Sequence, residues 1–263
     1  APSSTGKSRL ATTAKMQSQN ADNGSPVFDI PITYNSKVKN WIRYFQTNGR
    51  PDFKRWLGRS SRYAPHIQGQ LDKAGLPKDI MYTAMIESGF SATARSHASA
   101  VGIWQFIKPT AVRYGLKVNW WLDERGNYVK STGAAIRYKK DLFAMFNSWY
   151  LVSASYNCGE SRVRRIIKKY KTRNFWELAQ LGVLPKETIN YVAKIIAATL
   201  IAKTPGLYGF RNIKYKVPYQ FDTDYVPGGT DLHNLARHLG VSPRYLKQSN
   251  TKLIHGFIPS SFK

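Results

Sequence analysis

Three carboxylates and a few hydroxyls carry the chemistry this sequence offers. Glu87 follows an apolar run (Ile80, Met81, Ala84, Met85, Ile86) whose spacing is helical, which puts it at the inner end of a buried helix. Burial disfavours the charged form. A carboxyl still partly protonated near neutral pH can donate to a leaving-group oxygen, as cleavage of a glycosidic bond demands. Gly89 and Phe90 then interrupt the helix, so the carboxyl should face a cleft. Most glycoside-cleaving sites pair two carboxylates, about 5 Å apart for retention and about 6.5 to 9.5 Å for inversion. Asp123 and Glu124 are the best-placed partners, but they flank Arg125 in a polar, aromatic loop and read as surface or loop-capping groups. The pattern favours a mechanism run by one carboxyl.

The elements that must hold Glu87 read as helices. Val38, Trp41, Ile42 and Phe45 form one helical stripe, and Phe53, Trp56 and Leu57 belong to a second helix. A third is expected from Ser60 or Ser61 as N-cap, with Pro65 in its first turns, until Gly75-Leu76-Pro77 stops it. Asp79 opens the helix of Glu87. Farther on, Trp104 and Phe106 read as core residues of a short apolar helix, and Gly102 lets a backbone approach closely. Ser131 is the expected cap of a long helix whose buried side is Ala134, Ala135, Tyr138, Leu142, Met145 and Phe146. A short apolar helix from Tyr150 ends in Tyr156-Asn157, and Pro185 begins a longer one through Tyr191, Ile195, Ile196 and Leu200. Residues 27–212 thus form a mainly α block. Residues 1–26 are polar and aperiodic, a flexible arm. From Ile213 the residues alternate as strands do, and Asp231 to Gly240 reads as an amphipathic helix.

Several stretches together resemble a known family. Glu87-Ser-Gly-Phe90, Ser96, Ala100-Val-Gly-Ile-Trp-Gln105 with Pro109-Thr110, and Ser155-Tyr-Asn-Cys-Gly159 occur in the order and at the spacings of the soluble-lytic-transglycosylase family of lysozyme-like murein enzymes. The likeness is greatest to its membrane-bound lytic transglycosylase D type, from about Phe28 to about Phe210. It implies a lysozyme-like multi-helix catalytic domain that cuts the β-1,4 bond between N-acetylmuramic acid and N-acetylglucosamine in peptidoglycan glycan strands. Glu87 would act first as acid and then as base on the muramic C6 hydroxyl, leaving 1,6-anhydro ends, with the substrate's acetamido group assisting. The resemblance makes Ser96 and Gln105 polar contacts near the acid and the sugar, sets Tyr156 and Asn157 facing the site, and has Tyr191 hydrogen-bond Glu87. It implies no cofactor and no metal. Residues 213–263 resemble, more weakly, the small α+β LysM wall-binding module.

The chain departs from the family pattern at Ser91-Ala-Thr93, His97-Ala-Ser99, Ser155 and Cys158. These positions border the cleft and bear on substrate preference. An N-deacetylated wall would lose the acetamido assistance and admit a water, which is the alternative of true lysozyme hydrolysis.

Among 263 residues, 42% hydrophobic and 13% aromatic, there is ample material for a core. The formal charge of +25 calls for a polyanionic partner, such as an anionic envelope surface. A nucleic-acid-binding protein is the rival from another class, prompted by that charge and the basic run Arg162 to Arg173. It leaves Glu87 and the ordered motifs unexplained, so no nucleic acid is expected. A catalytically silent murein binder is disfavoured by the intact Glu87. Cys158, the one cysteine, excludes an intrachain disulfide and reads as a packing residue. No apolar run reaches the roughly 18 residues of a membrane span. The resemblance implies export to the periplasm or envelope, with any signal absent from this numbering.

Overall fold

The computed structural model describes residues 26–260, so the arm expected over residues 1–26 lies, Pro26 apart, outside the described residues. Helix α1 (Ser36–Gln46) starts where Asn35 accepts the Val38 amide at 3.0 Å, and its apolar stripe buries Val38, Ile42 and Phe45. Next comes one helix, α2 (Arg50–Lys73), where two were expected. Ser60 and Ser61 do not cap it; their hydroxyls bond back to the carbonyls of Leu57 at 2.8 Å and Gly58 at 3.1 Å. Packing of Phe53, Leu57, Tyr63, Ile67 and Leu71 along one face carries the helix past Pro65.

A 3₁₀ turn (Lys78–Met81) leads into the seven-residue α3 (Tyr82–Ser88), which ends at Gly89 in the left-handed region (φ +55°). Behind that turn, buried Asp79 pairs with Lys203 at 2.6 Å. Helices α4 (Lys108–Arg113), α5 (Tyr128–Phe146), α6 (Trp149–Cys158), α7 (Glu160–Tyr170), α8 (Phe175–Gln180) and α9 (Lys186–Lys203) follow. Asn127, and not Ser131, caps α5: its side chain accepts the Lys130 amide at 3.0 Å, and Ser131 is buried one turn in.

The organising element is α9. Its sequence is apolar nearly all round, and it buries Ile189, Tyr191, Val192, Ile195, Ile196 and Leu200 among others while packing against α1, α3 and α6. Among the described residues the fold is mainly helical, and pairing outside helices is limited to isolated bridges. The stretch from Ile213 is extended but forms no strand. It lies across α2, where the Lys216 amide donates to the Gly58 carbonyl at 2.8 Å, an approach that Gly58 permits: a Cβ there would stand 2.5 Å from the Lys214 oxygen. Two short helices, α10 (Leu232–His238) and α11 (Pro243–Ser249), complete the chain, with residues 229–232 hydrogen-bonded to residues 256–258. Leu232 and Leu253 share a small core with Leu122, which belongs to the loop before α5.

Candidate active site

Glu87 is the penultimate residue of α3, so the left-handed stop at Gly89 fixes where its side chain emerges. No larger residue fits there, since a Cβ on Gly89 would stand 2.3 Å from the Trp56 ring, and Arg59 reaches from α2 to the Gly89 carbonyl at 2.9 Å. The residue keeps a partly exposed surface, yet its carboxyl is enclosed by protein. Desolvation pushes the pKa up from 4.5 to about 7, against the opposing pull of the Tyr191 hydrogen bond and the Lys139 charge, with Glu187 adding a further push upward. At neutral pH the group can therefore give or take a proton.

Tyr191 rises from α9 and donates its hydroxyl to Glu87 Oε1. Burial and the neighbouring carboxylate hold this phenol far above its ordinary range, so it stays a donor. Tyr156, at the end of α6, donates to the Trp104 carbonyl at 2.7 Å and is likewise held protonated by burial. The next residue, Asn157, accepts the Thr188 hydroxyl at 2.8 Å, which ties α6 to the start of α9. These four, Glu87, Tyr156, Asn157 and Tyr191, line the junction of α3, α6 and α9.

Ser96 and Gln105 instead build the wall between α3 and α4. Ser96 Oγ accepts the Ala100 amide at 3.0 Å, closing an exposed turn. Gln105 donates to the Gly102 carbonyl at 2.8 Å and to Ala94 at 3.3 Å, bracing the wall from inside. Residues 101–106 are a reciprocally bonded turn, Val101 with Phe106 at 3.1 and 3.2 Å, and not the short helix expected there. Trp104 and Phe106 are core residues all the same, because the turn drives both rings inward and Trp104 Nε1 finds Thr132 at 3.0 Å. Phe90, Ser99 and Gln105, all non-glycine, have φ between +49° and +59°, so backbone strain is concentrated in the segment that follows the carboxyl.

Of the two readings of Asp123 and Glu124, surface or loop-capping, the structure shows loop-capping: both are buried and both are committed. Asp123 grips Arg125 through two bonds of 2.8 Å and accepts the Arg125 amide, while Glu124 accepts the Lys117 amide at 2.8 Å and pairs with Lys130. Gly102 backs against this loop, where a Cβ would meet the Arg125 oxygen at 2.0 Å.

Two charged residues near Glu87 were not read from the sequence. Glu187 lies one turn before Tyr191 on α9 and faces solvent. Lys139 is 1% exposed on α5, with its amine 3.3 Å from Thr83 Oγ1 and 4.2 Å from the centre of the Tyr156 ring. The signal existed: Lys139 falls four residues after Ala135 and three before Leu142, inside the apolar stripe. Among the described residues no three of His, Cys, Asp or Glu cluster as a metal set, and no helix is long and apolar enough to cross a membrane.

The transglycosylase SLT domain family matches residues 65–179, which takes in α3, the wall, α5, α6 and α7. Membrane-bound lytic murein transglycosylase D of Escherichia coli strain K12 is 40% identical over 197 residues, covering 73% of this chain and 43% of that protein. A putative tributyltin chloride resistance protein of Alteromonas sp. strain M-1 is 34% identical over 121 residues, 45% of this chain and 58% of that protein. The chain thus spans less than two thirds of each of these relatives. Among solved structures, an inactive mutant of the lytic transglycosylase Slt from Pseudomonas aeruginosa aligns with TM-score 0.45 and 22% identity over 55% of this chain and 24% of that one. The 70 kDa soluble lytic transglycosylase of Escherichia coli aligns with TM-score 0.48 and 18% identity over 71% of this chain and 34% of that one.

Proposed function

This chain belongs to the transglycosylase SLT-domain family, and from that premise we propose that it cleaves the β-1,4 bond between N-acetylmuramic acid and N-acetylglucosamine in peptidoglycan, leaving 1,6-anhydro ends. The observation that carries this reading is the Glu87 carboxyl, enclosed beside Tyr191 and poised at about 7. Protonated Glu87 delivers its proton to the bridging oxygen as the C1–O bond breaks. The resulting carboxylate then takes the proton of the muramic C6 hydroxyl while that oxygen bonds to C1. The proton balance closes on one residue, and no water is consumed. The commitment of Asp123 and Glu124 to Arg125, Lys130 and backbone amides supports a one-carboxyl route. Within this reading Tyr156 and Asn157 hold the floor of the cleft, and Ser96 and Gln105 keep its wall in shape beside the sugar.

The finer parts of the proposal rest on separate features. The exposed cations of α7, Arg162, Arg164, Arg165, Lys168 and Lys169, suit an anionic wall or membrane surface in the envelope. The order of extended piece, α10, α11 and returning extended piece fits a LysM-like module over residues 213–263. The altered wall residues Ser91 to Thr93 and His97 to Ser99 are where a preference for N-deacetylated glycan would arise.

Glu87→Gln tests the reading, because it keeps the shape and the acceptor for Tyr191 but removes the titrating group. Purified sacculi digested with each protein should show anhydro-ended fragments from the wild type, resistant to borohydride, and a loss of more than about 10³ in rate with the variant. Clearing by the variant at near wild-type rate would refute the assignment. Ends that take up borohydride hydrogen would make the enzyme a hydrolase.

A further inference from the structure

Lys139 is buried where a lysine costs most. Its side chain leaves α5 and crosses the core to α3 and α6, and only 1% of the residue's surface is open. None of the ion pairs among the described residues includes it. Its amine instead has the Thr83 hydroxyl at 3.3 Å and the face of Tyr156 at 4.2 Å. Those two contacts are weak for a full charge withdrawn from water, and an apolar side chain would fill the stripe between Ala135 and Leu142 at less cost. Thr83 and Glu87 are one turn apart on α3, hence on one face, so the amine that touches Thr83 lies beside the space that the carboxyl occupies. Tyr156 is shared as well, its ring under the amine and its electrostatics coupled to Glu87.

We propose that Lys139 is a positioning residue for Glu87: its buried amine, seated between Thr83 and the Tyr156 ring, is the counter-charge that stabilises the Glu87 carboxylate once its proton has left. The inference rests on the reading of Glu87 as the acid. A single carboxyl that serves as acid and then as base must be ionised in mid-reaction inside an enclosed site. A fixed cation that substrate cannot reach answers that need without competing for the sugar. The mutual effect is reciprocal, as linkage requires: the lysine charge pulls the Glu87 pKa down, and the carboxylate pulls the Lys139 pKa up from the low value, about 7, that burial imposes. The other charged and titratable groups around Glu87 are Tyr156 from α6, Tyr191 and Glu187 from α9, and Arg59 from α2, which is held to the Gly89 carbonyl. Set beside these, Lys139 is the enclosed cation whose charge acts on Glu87.

The test is the pH profile of kcat/KM for glycan cleavage by the wild type, Lys139→Met and Lys139→Arg. The alkaline limb reports loss of the acid's proton. With Met the carboxylate loses its counter-charge, and the limb should move up by about one pH unit, a tenfold gain in relative activity on that limb. Arginine stays charged throughout the range and should leave the limb at or below the wild-type position. A lysine that served packing alone would lower the rate without moving the limb, so coincidence of the Met and wild-type limbs within about 0.3 unit overturns the proposal. Titration of the wild type by NMR, following the Glu87 carboxyl carbon and the Lys139 side chain, needs no variant to fold. Each signal should shift when the other group titrates; Glu87 and Lys139 titrating independently, with no step in either signal at the other's transition, overturns the proposal. A wild type that cuts no glycan would sink the functional reading, while the NMR titration would still decide the pairing.

Discussion

Replacing Glu87 by Gln and Lys139 by Met in one protein should remove a dip in stability that the wild type has near pH 7. The Glu87 pKa is raised on folding from 4.5 to about 7. Its contribution is therefore fully present below the unfolded value and is lost as pH rises through the folded one. Lys139 goes the other way, from 10.5 down to about 7. Its contribution is present above the unfolded value and is lost as pH falls through the folded one. The two losses meet near neutrality, where the enclosed pair costs the fold most. At about 1.4 kcal/mol per pH unit, the Glu87 limb alone amounts to about 3 kcal/mol, a ceiling because the residue keeps some access to solvent. With about 2–4 °C per kcal/mol for a body of this size, the melting temperature should dip by at most about 6–12 °C. Gln retains the acceptor that Tyr191 needs, and Met fills the stripe on α5, so neither change opens a cavity. Melting curves of both proteins from about pH 5 to about pH 9 give a difference that cancels titrations elsewhere in the chain. That difference should peak near neutral pH, and a flat one, within about 1 °C throughout, would refute the argument.

Gly102→Ala should cost at least about 2 kcal/mol in chemical denaturation, because the new methyl group would stand 2.0 Å from the Arg125 carbonyl at a φ of +84°; a change under about 0.5 kcal/mol would mean that the wall and the Arg125 loop do not pack as described. Binding to isolated sacculi should weaken several-fold between about 0.05 M and about 0.3 M salt, as the Debye length falls to under about 6 Å. Binding that ignores salt would assign the affinity to the cleft or the C-terminal segment and away from the basic face of α7.

The sequence by itself determined the helical class and the place where the helix of Glu87 stops. Those are local matters: the apolar run from Ile80 to Ile86 has one period, and Gly89 has one reason to follow it, the left-handed turn that the structure contains. The core positions of Trp104 and Phe106 and the close approach at Gly102 were legible for the same cause. Tertiary structure decided the rest. Ser60, Ser61 and Pro65 looked like a helix start because capping and φ preferences are local, whereas α2 runs through them on the strength of a face packed along its whole length. The alternation after Ile213 looked like strands, but a strand needs a partner, and that stretch lies on a helix. Asp123 and Glu124 read as surface or loop-capping groups, and only the fold chose between the two: they cap the loop, and Arg125, Lys130 and the neighbouring amides let them be buried while doing so. The pairing of Lys139 with Glu87 was the least legible. It depends on α3, α5 and α6 meeting at one point from 52 residues apart in the chain, and only the packed fold brings a lysine from an apolar stripe beside a carboxyl at the end of another helix.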